Sequence, residues 1–87
     1  MRKYRAKSWQ VQGREMADRQ IEYVNAGQQT IQGAIKIFNN SYRNPKIIMT
    51  AAKRFGKAVR SGKVKENIEA YKNYMDDFNS FEKLFFV

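Results

Sequence analysis

The sequence predicts an all-α protein: a long helical hairpin plus a third helix, packed as a small three-helix bundle. Three observations carry this. Apolar residues recur every three or four positions over most of the chain. No stretch alternates with the two-residue period of a half-buried strand. Asn44-Pro45 and Ser61-Gly62 supply start and stop signals between the apolar stripes.

The first helix is expected from about Gln10 to Asn40, with Ala17, Ile21, Val24, Gln28, Ile31, Ile35 and Phe38 on one stripe closed by Asn39-Asn40-Ser41. Asn44 then reads as an N-cap, with Pro45 at the first helical position, where its missing N–H costs nothing. The second helix, about 45–60, places Ile48, Ala52, Phe55 and Val59 on one face, with Ala51 and Ala58 beside them. Gly62 sits where a left-handed residue commonly ends a helix. A third helix is expected from about Lys63 to Phe78, with Val64, Ile68, Tyr71, Met75 and Phe78 on its stripe. A break is expected at Asn79-Ser80, because a continuing helix would set Glu82 in the apolar face.

A chain of 87 residues has room for one domain, spanning 1–87, with a basic N-terminal arm over about 1–9 and an apolar tail over about 80–87. Such a chain buries only about 60–65% of its unfolded surface, so self-association is an expected further source of stability. With no cysteine and no histidine, a disulfide scaffold, a Cys/His zinc site and an imidazole or thiolate nucleophile are all excluded. Asp76 and Asp77 diverge by about 100° on a helix and form no paired-carboxylate site. The run Gly56-Lys57-Ala58-Val59-Arg60-Ser61-Gly62-Lys63 approximates a phosphate loop, but it is one residue too long. Val64 also stands where Ser or Thr is needed, and no strand precedes it. The expectation is a protein that is not an enzyme and uses no metal, cofactor or small-molecule substrate.

Charge is the informative property. Lys and Arg number 17 against 8 Asp and Glu, for a net charge of +9. It is unevenly placed. Residues 1–15 carry five cations against one acid, and residues 45–65 carry seven with none. Residues 66–87 reverse the sign, with two cations against five acids. On the second helix, Lys46, Lys53, Lys57 and Arg60 fall within a sector of about 60°, with Arg54 and Thr50 next to it. Such a face repels itself unless an anion compensates, and a phosphate backbone is a common one. A solvated face, pairing with the acidic end of the chain, and a membrane surface are the competing readings.

The arm interleaves Arg2, Lys3, Arg5 and Lys7 with Tyr4 and Trp9, which suits a groove-entering extension. From Tyr23 to Ile35 the first helix has no charge, and its small residues and amides, Gln28 and Gln32 among them, suit a helix-to-helix contact. Phe81, Leu84, Phe85 and Phe86 are too apolar for an exposed end, and so fold back or anchor in a neighbour.

Two functions follow. In the first, Arg2, Lys3, Arg5, Lys7, Lys46, Lys53, Arg54, Lys57 and Arg60 grip a nucleic-acid backbone without sequence specificity. In the second, the chain is a structural or assembly protein (a virion, filament or accessory subunit). It then self-associates or binds an acidic protein through Trp9, Gln28, Gln32, Phe81, Leu84, Phe85 and Phe86. A homo-oligomer or a subunit of a larger assembly is expected. Met1-Arg2-Lys3 is followed by Tyr4-Arg5-Ala6-Lys7 rather than an apolar stretch, so no signal peptide is expected, nor any membrane span. A cytoplasmic location, or one within a virion, is expected. The layout of helix, Asn44-Pro45 turn and helix is loosely similar to secretion-needle subunits and to small phage accessory proteins, and neither likeness carries residues across.

Overall fold

Each helix starts on a polar side chain that satisfies a backbone donor. In a computed structural model, which describes residues 8–86 with side chains through Asp77, the order is α1 Trp9–Asn25, α2 Ile31–Asn39, α3 Pro45–Arg60 and α4 Ile68–Phe86. Ser8 Oγ accepts from Val11 N–H, Thr30 Oγ1 from Gly33, Asn44 Oδ1 from Lys46, and Asn67 Oδ1 from Ala70. Pro45 occupies the first position of α3, as its sequence context predicts.

The all-α class holds, but there are four helices rather than three. The long first helix breaks at Gly27, which takes φ +77°. Gly27 N–H donates to Val24 O and Gln28 N–H to Tyr23 O, the paired closing bonds of a glycine-terminated helix. A Cβ there would also lie 2.7 Å from Ala70 Cβ. The same pair of bonds ends α3 at Gly62, from Gly62 N–H to Val59 O and from Lys63 N–H to Ala58 O.

The break reorganises the topology. Gly13 of α1 lies against Thr50, Asp18 against Arg54, and Asn25 against Lys63 and Lys65. The two sequences climb together, so α1 and α3 run parallel, and α2 is the short return between them. The Asn44-Pro45 turn still joins α2 to α3 as expected, but the long first helix of the expected hairpin is divided, and its first half runs parallel to α3. An unbroken helix through residue 40 would have put the Asn44-Pro45 turn at its far end, whereas the Gly27 turn brings the chain back first.

Ala17, Val24, Ala34, Phe38, Ala51, Phe55, Ala58 and Val64 form the core, with Ile47 also buried. Phe38 and Phe55 meet edge to face, with centroids 5.4 Å apart and planes at 75°. The buried arc of α3 is turned from the one expected: Ile47, Ala51, Phe55 and Ala58 face inward, while Ala52 is exposed. The cause is α1. Gly13 and the alanines let it lie close along that side of α3, a contact invisible in the α3 sequence alone.

Residues 63–67 form a non-helical strap rather than the start of the third helix. Asn25 ties it down, donating to Lys63 O at 3.1 Å and accepting from Lys65 N–H at 2.7 Å. Glu66 Oε1 accepts from Ile31 N–H at 2.7 Å, satisfying an orphan donor at the start of α2. α4 then continues through Asn79-Ser80, where a break was expected, to Phe86. Beyond its start it forms no interface with α1, α2 or α3 among the described residues. The radius of gyration, 15.8 Å, accordingly exceeds the roughly 12 Å of a compact chain of this length.

Candidate functional site

Parallel packing of α1 and α3 makes a furrow between them, and its lining is basic. One stretch, about 350 Å³, is lined by Gln10, Arg14, Thr50, Lys53, Arg54 and Lys57. It runs into a second, about 390 Å³, that shares Arg54 and Lys57 and adds Asp18, Ile21, Ala58, Ser61 and Lys63. Asp18 is the one acid in either lining. Its carboxylate is engaged by Arg54, Nε to Oδ1 at 2.7 Å and Nη2 to Oδ2 at 3.3 Å. Arg14, Lys53, Lys57 and Lys63 keep their charge without such a partner among the described residues.

The upper end of the furrow is positive for a further reason. Both α1 and α3 begin there, and neither has an acid in its first turn, so two helix dipoles present positive ends side by side. Lys46 stands at that end, where the dipole disfavours it, with Nζ 5.7 Å from the Trp9 ring centroid. An exposed cation–π contact contributes about 0.5–1 kcal/mol, which offsets part of the repulsion. At the other end, Lys57 and Arg60 lie in the last turn of α3, where the dipole favours them.

Of the residues singled out from sequence, Lys53, Arg54 and Lys57 meet in the furrow and Lys46 stands at its head. Arg60 is exposed on the outer side of α3, its Nη1 close to Gly56. Arg54 is half given over to Asp18, so it ties the seam as well as lining it. Gln28 and Gln32 are exposed, and Gln28 belongs to the turn that ends α1. Arg2, Lys3, Arg5 and Lys7 lie outside the described residues, as do the side chains of Phe81, Leu84, Phe85 and Phe86. The acids Glu66, Glu69, Asp76 and Asp77 form no ion pair with an α3 cation among the described residues, so these four do not neutralise this face.

Sequence reasoning missed Arg14 and Lys63 as furrow residues. Gln10, Arg14, Asp18, Ile21 and Asn25 recur at three- and four-residue spacing, which puts them on one face of α1. That this face meets α3 depends on the parallel arrangement, and Arg14 otherwise reads as part of the arm. Among the described residues no three His, Cys, Asp or Glu side chains converge as metal ligands, and no helix is long and apolar enough to cross a membrane. No family model, curated protein or solved structure matches the chain.

Proposed function

We propose that the protein binds nucleic acid through its phosphate backbone, without reading sequence. The observation that supports this is the convergence of Arg14, Lys53, Arg54 and Lys57, from two helices, on one furrow whose single carboxylate is already taken. From Lys46 to Lys57 the cations of α3 extend about 16 Å, the rise of some five base pairs along one strand. The lining offers cations, the partners of phosphate oxygens, while the Thr50 hydroxyl is spent on the Lys46 carbonyl oxygen. It lacks Asn, and Gln10 is its one amide, so the paired amides that read adenine are not assembled there.

The test is fluorescence anisotropy with labelled duplexes and single strands, DNA and RNA, of unrelated sequence at about 0.15 M salt. Lys53→Gln with Lys57→Gln should weaken binding by a similar factor on every sequence and leave the helical spectrum unchanged. Lys36→Gln, on α2 outside the furrow, should bind as wild type. An affinity that varies strongly with sequence, or a double variant that binds as wild type, would overturn the proposal.

A further inference from the structure

α4 has two dissimilar sides. Ile68, Tyr71 and Met75 share one, while Glu69, Asn73, Asp76 and Asp77 occupy a sector of about 100° on the other. Its start is anchored by the Glu66 bond to Ile31 N–H and by Ala70 against Gly27. The described helix beyond has no interface in its own chain, and Ile68 and Tyr74 remain 46% and 40% exposed. Glu69, Asp76 and Asp77 form no ion pair with a cation of their own α3 among the described residues.

α3 carries the complementary pattern. Lys46, Lys53 and Arg60 repeat at seven-residue steps, and on α4 Glu69 and Asp76 repeat at the same step. Both steps rise about 10.5 Å, so a helix laid along α3 brings two opposite pairs together at once. Met49, 59% exposed beside Lys46 and Lys53, offers apolar ground at the edge of that contact.

We propose that the acidic face of α4 docks along α3 of a second copy of this chain. The contact joins different surfaces of the two copies, so each copy keeps one of each free and the association extends head to tail unless it closes into a ring. It uses Lys46 and Lys53, both assigned above to phosphate. Insofar as that reading holds, nucleic acid and a second copy exclude one another, and adding duplex disassembles the chains.

Sedimentation velocity over a range of concentrations, at about 0.05 M and about 0.5 M salt, tests the contact without any nucleic acid. Wild type should grow in mean mass with concentration at low salt and revert to monomer at high salt. Glu69→Lys with Asp76→Lys, and separately Lys53→Glu with Arg60→Glu, should each self-associate at least about tenfold more weakly. An equimolar mixture of the two should associate again, since each supplies the charge the other has lost. Should a reversed variant lose helical signal, Glu69→Gln with Asp76→Asn reads the same contact. The proposal is overturned by a wild type that stays monomeric at low salt, or by helical variants that associate as strongly as wild type. It is overturned equally by helical variants whose mixture stays monomeric. Association without nucleic-acid binding would leave this contact standing and remove the proposed function, and nucleic-acid binding by a strict monomer would do the reverse.

Discussion

Gly13→Ala probes the α1–α3 seam at its tightest point. The added Cβ would lie 2.6 Å from Thr50 Cβ, 2.8 Å from Thr50 Cγ2 and 2.9 Å from the Ile47 carbonyl oxygen. Carbon atoms make ordinary contact near 3.5 Å, so the helices must part by roughly 0.8 Å or more. Rotating Thr50 does not help, because its Cβ is itself in the way and the other neighbour is backbone. Overpacking of this kind costs about 1–3 kcal/mol, against which alanine gains about 0.8–1.0 kcal/mol over glycine as a helix former. The expected net loss is up to about 2 kcal/mol, near 1 kcal/mol at mid-range. Gly56→Ala is the control, since its Cβ would meet only the flexible Arg60 Nη1, at 3.4 Å. That variant should gain about 0.5–1 kcal/mol. Thermal unfolding followed by circular dichroism then separates the two variants by about 10 °C, at 4–8 °C per kcal/mol for a domain of this size. If Gly13→Ala melts at or above wild type, α1 and α3 do not approach as described.

Phe55→Ala should cost about 3–5 kcal/mol in urea unfolding, because it removes a buried ring and leaves Phe38 without its edge-to-face partner. Ile31→Ala should cost less, about 2 kcal/mol, since Ile31 is only half-buried. Gln20 is 6% exposed and its Oε1 has no partner among the described residues, so Gln20→Leu should raise stability by about 1 kcal/mol. A clear loss there would mean that the amide is satisfied. Arg54 and Asp18 are 48% and 46% exposed, and a double-mutant cycle between them should return no more than about 1 kcal/mol.

Local signals were the legible part of the fold. Asn44-Pro45 and Ser61-Gly62 delimit α3 in sequence as they do in structure, because capping depends on a few adjacent residues. The break at Gly27 was missed although its signal was present. Gly27 followed three residues later by Thr30, with Gly33 as the donor that Thr30 caps, spells the end of one helix and the start of the next. The apolar stripe carried across the gap because Val24 and Ile31 are seven residues apart, a spacing that keeps phase through an unbroken helix. At Asn79-Ser80 the opposite error arose, since both residues cost only tenths of a kcal/mol inside a helix and no glycine or proline stops it. The basic face of α3 was visible from spacing alone. Its completion by Arg14 was not, because that depends on which side of α3 receives α1.

The dependence of binding on salt tests the central claim most directly. With Arg14, Lys53, Lys57 and the Lys46 end of the furrow engaged, log K against log salt should fall with a slope of about −3 to −4. Lys53→Gln with Lys57→Gln should reduce that slope by up to about 1.8, while Lys53→Arg with Lys57→Arg should preserve it. A wild-type slope near zero, or a slope that survives loss of both lysines, would contradict a phosphate-binding furrow between α1 and α3.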